Sequence, residues 1–598
     1  MHFAGLHEEE IVGKAYDRRL LARFLGYVRP YRWQATLSLL LLGPMAAARL
    51  AQPWILKLAI DNHIVTGRMA GLPLLALYYL LMLIAESLLT FAEVYLLQNI
   101  GQRVMFDLRL ELFDRMQRLP TRFFDRTPTG SLVTRLTSDV EVLGEMFAAG
   151  IVSVVGDMLV LAGIVGIMLW MNWQLSLVTF SVLPLLLWVT FTFRIRMRTA
   201  YRQVRARLAG LNAFLAECLG GMAVVQMFNR QRHEEKEFRR LNASYRDANL
   251  PVITWDASLY ALVETLSSVA VGLIVWYGGG EILRGALTFG ALVAFIQYIE
   301  KFFSPIRDLS AKYSVMQGAM AALERIFTLL DQEREDTAGT RVEPVGRTTT
   351  SAVAAGPVQS IEFRDVWFAY SGDDYVLKGF NLTIRRGEKI ALVGETGGGK
   401  TTVTRLLSRL YDPGRGSILL NGTDIREMPL PDLRRRIGVV LQDPYLFTGS
   451  LAYNIALDDE EARRRTERAA VTVGADRFIE RLPGRFDEEI RERGSNLSVG
   501  ERQLVSFARA VAFDPEILVL DEATASVDSA SERLIQEGIN RLMAGRTSLV
   551  VAHRLSTVRD ADRIVVVHRG EKAEEGTHDE LMIRKGLYYR LHQLQFRD

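Results

Sequence analysis

Long apolar stretches alternate with basic connections through the first 330 residues. Six of the stretches hold about 20 or more predominantly apolar residues, the length that an α-helix needs to cross a membrane. They span residues 35–60, 71–97, 146–170, 174–193, 255–281 and 287–308. Ahead of them, Tyr16–Trp33 places apolar residues at helical spacing among arginines, as in a helix of the membrane interface or, alternatively, an ordinary surface helix. This pattern predicts an all-α membrane domain with six helices.

The charges of this half lie mainly in two long connections, between the second and third and between the fourth and fifth stretches. The other three connections carry only Arg68 and Arg284 as basic residues. Because cytoplasmic loops of membrane proteins carry an excess of Lys and Arg, we expect both long connections and both termini in the cytoplasm. Helical periodicity continues into the long connections, so we expect these helices to extend beyond the bilayer.

Composition divides the chain in the same way. Its 598 residues are 49% apolar, with a mean hydropathy of +0.10 and a net charge of +3. Residues 1–330 carry 33 basic and 26 acidic side chains, whereas residues 331–598 carry 39 basic and 43 acidic ones. A single-domain soluble enzyme, a disordered protein and a nucleic-acid partner are therefore not expected. The only cysteine, Cys218, excludes an internal disulfide framework and a cysteine-based zinc cluster.

A phosphate-binding motif opens the second half. The apolar run Lys389–Val393 predicts a strand, and an amphipathic helical pattern follows the motif. The motif reads Gly394-Glu395-Thr396-Gly397-Gly398-Gly399-Lys400-Thr401, with Thr402 after it. Its glycines let backbone N–H groups surround phosphates, Lys400 reaches the β- and γ-phosphates, and the Thr401 hydroxyl binds Mg²⁺. The sequence therefore predicts a site for ATP and Mg²⁺.

Two further apolar runs end in residues that can carry phosphate chemistry. Ile517–Leu520 ends in Asp521 and Glu522, which we expect to divide the work of binding Mg²⁺ and polarising the attacking water. Ser548–Ala552 ends at His553, which we expect beside the γ-phosphate. The alternatives are an acidic helix cap for the pair and a structural role for the histidine.

With these motifs in this order, nearly the whole chain resembles the ATP-binding cassette (ABC) exporters, specifically half-transporters. That resemblance implies that Tyr370 stacks on adenine and that Gln442 both senses Mg²⁺ and takes part in catalysis. It also implies that Asp521 binds Mg²⁺, that Glu522 is the catalytic base and that His553 is the switch histidine. Ser526–Asp528 matches the dimer-contact loop, and Glu492 matches a short acidic loop of the family. Alternatively, Tyr370 packs in a core and Gln442 caps a turn.

The resemblance also assigns the domains and two coupling segments. It implies a six-helix exporter-type membrane domain fused to an α/β P-loop ATPase domain. The segments are residues 1–33 (interfacial helix), 34–330 (transmembrane domain), 331–360 (flexible linker) and 361–598 (nucleotide-binding domain). Leu119–Gly130 and Gly210–Phe228 look like the family's first and second intracellular loops, whose short helices dock on nucleotide-binding domains.

One motif departs from the family pattern. The signature, normally Leu-Ser-Gly-Gly-Gln, binds ATP held by the opposite subunit, and here it contains Ser498, Val499, Gly500 and Glu501. Val499 limits close approach, and the Glu501 carboxylate repels a triphosphate. We therefore expect a heterodimer whose other half-transporter has a consensus signature and a degenerate catalytic glutamate. The alternative is a tolerated variant in a homodimer.

The expected activity is ATP-driven efflux of hydrophobic drugs, lipids or peptides across the cell inner membrane. By resemblance, the chain would be the catalytically intact subunit of a bacterial heterodimeric multidrug or peptide exporter. A homodimeric lipid flippase and an ATP-regulated channel or sensor remain alternatives. Ionisable residues inside the apolar stretches either attract cationic cargo or form ion pairs with Lys57 or Arg49. They are Glu86, Glu93, Asp157, Asp256 and Glu264.

Overall fold

The structure, a computed structural model, describes residues 17–335, 356–521, 529–552 and 555–595. It divides into two compact units. The first comprises Met1–Gln117 and Thr129–Gln332, and the second Arg118–Pro128 and Glu333–Asp598. Residues 118–128 therefore group with the ATPase half of the chain, although they lie far from it in sequence.

Twelve helices precede residue 331 in the described chain. They are α1 (Arg18–Val28), α2 (Arg32–Ala59), α3 (Leu72–Gln117), α4 (Thr121–Arg126), α5 (Thr129–Thr134), α6 (Val140–Glu145), α7 (Val152–Met171), α8 (Trp173–Phe180), α9 (Leu183–Gly220), α10 (Met222–Met227), α11 (Gln231–Leu283) and α12 (Phe289–Leu330). Within this region, π-helical turns at Arg135–Asp139 and Met146–Ile151 join neighbouring helices, and another at Ile60–Ile64 extends α2.

Five helical segments of the described chain are long and apolar enough to cross a membrane. They are Arg18–Ile64, Leu72–Gln117, Val152–Met171, Trp173–Gly220 and Gln231–Leu283. The sixth predicted stretch, residues 287–308, lies mostly within α12. At 1.5 Å per residue, α3 and α11 are about 70 and 80 Å long, well beyond a bilayer core of about 30 Å. The expectation that helices continue past the apolar stretches is confirmed.

The first unit has a core between helices and an apolar exterior. Helices α2, α7, α9, α11 and α12 surround buried residues such as Ile164, Ile274 and Tyr298. Outside, Trp170 and Trp276 near helix ends are more than 70% exposed. Such exposure is unfavourable in water but typical of tryptophans at a membrane interface.

Twelve strands follow in the second unit. They are β1 (Ser360–Ala369), β2 (Tyr375–Arg385), β3 (Lys389–Val393), β4 (Arg415–Leu420), β5 (Thr423–Asp424), β6 (Ile437–Val440), β7 (Gly449–Ser450), β8 (Glu489–Ile490), β9 (Ile517–Asp521), β10 (Thr547–Val551), β11 (Arg563–His568) and β12 (Glu571–Gly576). They form sheets of order β2-β1-β4-β5, β12-β11-β3-β10-β9-β6 and β7-β8.

Ten helices complete the second unit as described. They are α13 (Lys400–Leu407), α14 (Leu430–Arg436), α15 (Leu451–Ala456), α16 (Glu460–Val473), α17 (Asp476–Ile479), α18 (Val499–Ala512), α19 (Ser529–Met543), α20 (Leu555–Arg559), α21 (His578–Arg584) and α22 (Leu587–Gln595). Helices α16, α18 and α19 pack together over one face of the six-stranded sheet.

The six-stranded sheet is buried on both faces. Ile390 and Leu392 of β3 join one core cluster, while Ala391 and Val393 join the other, because successive side chains point to opposite faces. This double burial explains the unbroken apolar runs that predicted β3, β9 and β10. Strands β11, β3, β10, β9 and β6 are parallel, so the segments that follow them emerge at one edge.

Candidate functional site

The phosphate loop joins β3 to α13 and depends on its glycines. Gly394, Gly397 and Gly399 have φ values of 152°, 82° and 103°, which side-chain-bearing residues rarely adopt. A Cβ on Gly394 would lie 2.1 Å from the backbone oxygen of Val567. The Gly398 amide donates to the Glu395 carbonyl at 3.0 Å and closes the turn. The loop therefore wraps around the N-terminus of α13, where backbone N–H groups and the helix dipole favour an anion.

Lys400 lies inside this loop. Its ammonium donates to the backbone oxygens of Gly394 at 2.8 Å and Glu395 at 2.9 Å. The side chain is 6% exposed, and burial lowers its pKa while the negative charge of Asp521 opposes that shift. A buried cation that bonds to carbonyl oxygens among the described residues is well placed to exchange them for phosphate oxygens.

Two predicted metal ligands follow neighbouring strands at the same edge of the sheet. In the parallel register Leu520 pairs with Val440 and Asp521 pairs with Val551. Gln442 therefore follows β6 next to the end of β9, where Asp521 lies half-buried. Thr401 and Thr402 open α13 on the other side of β10. Glu522, His553 and the loop Ser526–Asp528 lie outside the described residues, and their roles stay predictions.

Aromatic residues contact Tyr370, the residue predicted to stack on adenine. Tyr370 makes edge-to-face contacts with Phe368 and Tyr411, at centroid distances of 4.9 and 5.2 Å. Its hydroxyl lies 3.1 Å from the Thr402 hydroxyl, and the Arg405 guanidinium lies 5.9 Å from its ring. Tyr370 is thus connected directly to the helix that begins at the phosphate loop.

Helix α4 contacts this aromatic cluster. Tyr411 donates a hydrogen bond to the Asp125 carboxylate, and Arg126 donates to the Tyr370 carbonyl at 3.0 Å. Burial, together with that carboxylate, raises the pKa of Tyr411 to about 12. The sequence analysis missed Tyr411, whose only signal was an aromatic residue in the polar turn after α13. The predicted first intracellular loop does contain a short helix, and that helix contacts the predicted nucleotide site.

The second predicted loop also contains a short helix, α10. Its apolar side chains Val224 and Met227 are exposed, and so is Phe228 directly after it. These residues present an apolar surface of the kind that protein interfaces bury.

The signature segment begins α18 with a reciprocal cap. The Glu501 amide donates to the Ser498 hydroxyl oxygen at 3.3 Å, and the Ser498 amide donates to the Glu501 carboxylate at 2.8 Å. This capping box places a negative charge at the helix N-terminus. Val499 is 43% exposed beside it, with Gly500 buried behind. Among the described residues no hydrogen bond joins the signature to the phosphate loop of the same chain.

The ionisable residues of the membrane helices are partly paired. Glu86 accepts a hydrogen bond from Gln52 and lies 3.9 Å from Arg49, a predicted partner. Asp157 pairs with Lys312, which the sequence analysis did not name, and Lys57 lies 4.0 Å from Asp61. The remaining members differ in burial: Glu93 is buried, whereas Asp256 and Glu264 are exposed.

Similarity to known proteins agrees with this arrangement. Two family models match the chain, the ABC transporter transmembrane region over residues 31–306 and the ABC transporter over residues 377–525. Over 591 residues the chain is 36% identical to the uncharacterized ABC transporter ATP-binding protein YfiC of Bacillus subtilis, covering 98% of this chain and 95% of that protein. The chain belongs to the ABC transporter family.

Further relatives narrow the type of ABC transporter. The ATP-dependent lipid A-core flippase of Thiobacillus denitrificans is 35% identical over 97% of this chain and 99% of its own length. The probable multidrug resistance ABC transporter YheH of Bacillus subtilis is 36% identical, over 88% of this chain and 77% of its own. The solved structure of a bacterial Atm1-family ABC exporter with ATP bound matches with a TM-score of 0.77 and 28% identity, over 95% and 99% of the two chains. The ABC half-transporter described here thus has the exporter fold, and its second unit is an ATPase coupled to transport.

Proposed function

We propose that this chain is one subunit of a dimeric ABC exporter that moves hydrophobic drugs, lipids or peptides across the bacterial inner membrane. Both termini and both long loops lie in the cytoplasm in this proposal. The observation that carries it is the phosphate loop, in which the Lys400 ammonium is held between two backbone carbonyls on the same chain as the membrane helices.

The donor set fits ATP with magnesium. The Thr401 hydroxyl, the Gln442 amide oxygen and the Asp521 carboxylate are hard oxygen ligands of the kind Mg²⁺ prefers. When bound, the ion neutralises charge that develops on the phosphates. Backbone amides of Glu395–Thr402 hold the triphosphate, and Tyr370 stacks on the base. Glu522 polarises the attacking water, and His553 donates a hydrogen bond to the γ-phosphate.

Transport follows from differential binding. Two nucleotide-binding domains close around ATP only when signature and phosphate loop from opposite subunits meet, so ATP stabilises the closed state. Helix α4 lies between α3 and α5 in the chain and bonds to the ATPase unit through Asp125 and Tyr411, so we expect it to carry that state to the membrane helices. Hydrolysis removes the stabilising phosphate contacts and resets the transporter.

The partner in this proposal is a different half-transporter. Glu501 keeps its carboxylate within the capping box at the N-terminus of α18, where the opposite subunit's γ-phosphate would bind. Like charges there weaken that site, whereas Lys400, Asp521, Glu522 and His553 complete the other one. The partner therefore supplies a consensus signature and lacks the catalytic glutamate.

A homodimeric lipid flippase is the second candidate, because the lipid A-core flippase relative matches along almost its whole length. The two candidates differ in measurable flux. Proteoliposomes with fluorescent lipid would show ATP-dependent lipid flipping by the pure chain only in the flippase case. In the heterodimer case, export of a dye or peptide requires the second half-transporter.

The decisive experiment measures ATPase activity and transport for the chain alone and with candidate partners. We expect full drug-stimulated hydrolysis only in a mixed complex, and the Glu522→Gln variant should bind ATP without turnover. Full activity of the pure chain would contradict the heterodimer. Normal hydrolysis by Glu522→Gln would contradict the catalytic assignment. A third idea, an ATP-regulated channel, predicts ion conductance without vectorial transport.

A further inference from the structure

One buried amide side chain of the ATPase unit takes no part in the proposed transport cycle. Gln503 lies on α18, two residues after Glu501, and is only 7% exposed. Its side-chain oxygen is buried without a hydrogen-bond partner among the described residues. Buried polar side chains usually have partners, so an orphaned amide oxygen here indicates a bridging molecule or a functional site.

The same amide lines a small cavity of about 20 Å³. Its described walls come from the ends of β6 and β9 and from α18 and α19, and in that part of the chain they are apolar except for two side chains, Gln503 and Asp521. A cavity needs about 10–15 Å³ to hold one water molecule. The space therefore fits one water molecule between the amide and the carboxylate.

A water molecule can supply the partner that the Gln503 side-chain oxygen lacks. The Gln503 side-chain oxygen and the Asp521 carboxylate oxygens are hydrogen-bond acceptors, so these oxygens can be joined only through a donor between them. A water molecule has two O–H donors, one for each. It would satisfy the buried amide and add one hydrogen bond to the carboxylate.

The position of this water bridge places it next to the predicted metal site. Asp521 ends β9 at the edge where the predicted metal ligands gather. Gln503 lies about one turn along the helix whose first residues form the signature. Partners that orient a metal ligand through hydrogen bonds support metal affinity even without touching the ion.

We propose that Gln503 is a positioning residue that orients Asp521 through one bridging water molecule. Helix α18, which begins with the signature, is thereby linked to the magnesium site of its own chain. A change at its N-terminus is therefore expected to act through Gln503, about one helical turn along, on the Mg²⁺ affinity of the site that contains Asp521. This inference rests on the proposed ATPase function and adds a specific link between the two ATP sites of the dimer.

The test compares three variants in the full-length complex. Gln503→Met removes the amide at similar length, and Gln503→Asn keeps an amide that a water molecule can still reach. Ile539→Val is the matched control, because it enlarges the same cavity without changing a polar group. Two readouts are used: binding of Mn²⁺ with ATP, followed by electron paramagnetic resonance, and the Mg²⁺ concentration that half-saturates hydrolysis.

For Gln503→Met we expect both metal affinities to fall about tenfold, the lower range for lost supporting hydrogen bonds. ATP binding without metal should not change. Gln503→Asn should recover most of the loss, and Ile539→Val should match the parent chain. Unchanged Mn²⁺ affinity in a folded Gln503→Met, or an equal loss in Ile539→Val, would overturn the proposal. If Glu522→Gln still blocks turnover in that case, the proposed function survives and only the role of Gln503 fails.

Discussion

At the scale of single residues, two glycines of the phosphate loop are needed for different reasons. Gly394 has no room for a Cβ, because the Val567 carbonyl is 2.1 Å from where it would lie. Gly397 has open space around it and requires only its positive φ of 82°. The first position is therefore limited by both space and backbone conformation, and the second by conformation alone.

We expect Gly394→Ala to abolish ATP binding and to destabilise the domain by about 1–3 kcal/mol through overpacking against rigid backbone, beyond any cost in φ. Gly397→Ala is the matched control and should cost about 1–2 kcal/mol from φ alone. Fluorescent-nucleotide binding and thermal unfolding measure both effects. Equal losses in the two variants would mean that the contact with Val567 is unimportant.

Glu501 permits a second residue-scale prediction. Glutamine can keep the capping box with Ser498, whereas alanine cannot. We expect Glu501→Gln to leave the melting temperature close to that of the parent chain and to increase ATP occupancy of the site that this signature contacts. Glu501→Ala should lose about 1 kcal/mol of stability. Nucleotide trapping in the complex measures this occupancy. An unchanged occupancy for Glu501→Gln would show that the Glu501 charge does not weaken ATP binding.

Residue roles were predictable where a motif fixes backbone chemistry. The glycines and Lys400 could be assigned because a phosphate loop requires N–H groups and a cation at fixed spacing. Tyr411 and Gln503 could not, because their roles depend on contacts between segments far apart in sequence. Val499 and Glu501 were recognised as departures, but only the structure shows that Glu501 closes a capping box.

At the scale of elements, α4 is short and exposed, yet two side chains connect it to the nucleotide site. Asp125 accepts from Tyr411, and Arg126 donates to the backbone of Tyr370. Tyr411 in turn contacts Tyr370 edge to face. Tyr370 is therefore joined to α4 by two contacts, one through Tyr411 and one through Arg126.

We expect Tyr411→Phe, which keeps the ring and removes only the hydroxyl, to preserve ATP hydrolysis but reduce cargo moved per ATP. A coupling free energy of about 1 kcal/mol corresponds to about a fivefold fall. Tyr375→Phe is the control, since it removes the same hydroxyl from a ring that packs on Trp367 in the same unit. Flux and phosphate release measured in the same proteoliposomes give the ratio. An unchanged ratio would show that α4 does not communicate through Tyr411.

The pair Lys312–Asp157 joins α12 to α7, and Ser153 accepts from the same ammonium at 2.6 Å. Removing one charge leaves the other without its ion-pair partner, at a site where about four fifths of each side chain is shielded from solvent. Lys312→Met alone should therefore destabilise the membrane unit by about 3–5 kcal/mol, and Lys312→Met with Asp157→Leu should restore most of that loss. Thermal unfolding in detergent measures both. If the double variant is stable but no longer transports, the pair serves cargo rather than structure.

The ends of helices and strands were predictable where burial leaves a pattern in the sequence. Strands β3, β9 and β10 were predicted within one residue, because doubly buried strands leave unbroken apolar runs. The long α3 and α11 were predicted to pass beyond the bilayer, although not where they end. The π-helical turns left no sequence signal, since one extra residue per turn does not change the apolar pattern enough to be seen.

At the scale of the whole molecule, the division into a membrane half and an ATPase half was visible in composition. The +7 charge of residues 1–330 and the −4 charge of residues 331–598 correspond to basic loops around apolar spans and to a water-exposed α/β domain. Residues 118–128 are an exception to this division at residue 330, because they group with the second unit. Hydropathy reports the solvent around a segment and not the segment it contacts, so this membership could not be derived from composition.

That membership sets an order of events during synthesis. Asp125 and Tyr411 are separated by 286 positions. At roughly 5–20 residues per second, α4 leaves the ribosome on the order of 15–60 s before its partner is made. During that interval the membrane helices on either side of it can already insert, while Tyr411 has not yet been made. Completion of the ATPase domain thus occurs last, after the loop that carries α4 has been made, and a ribosome that pauses before residue 411 leaves α4 without Tyr411.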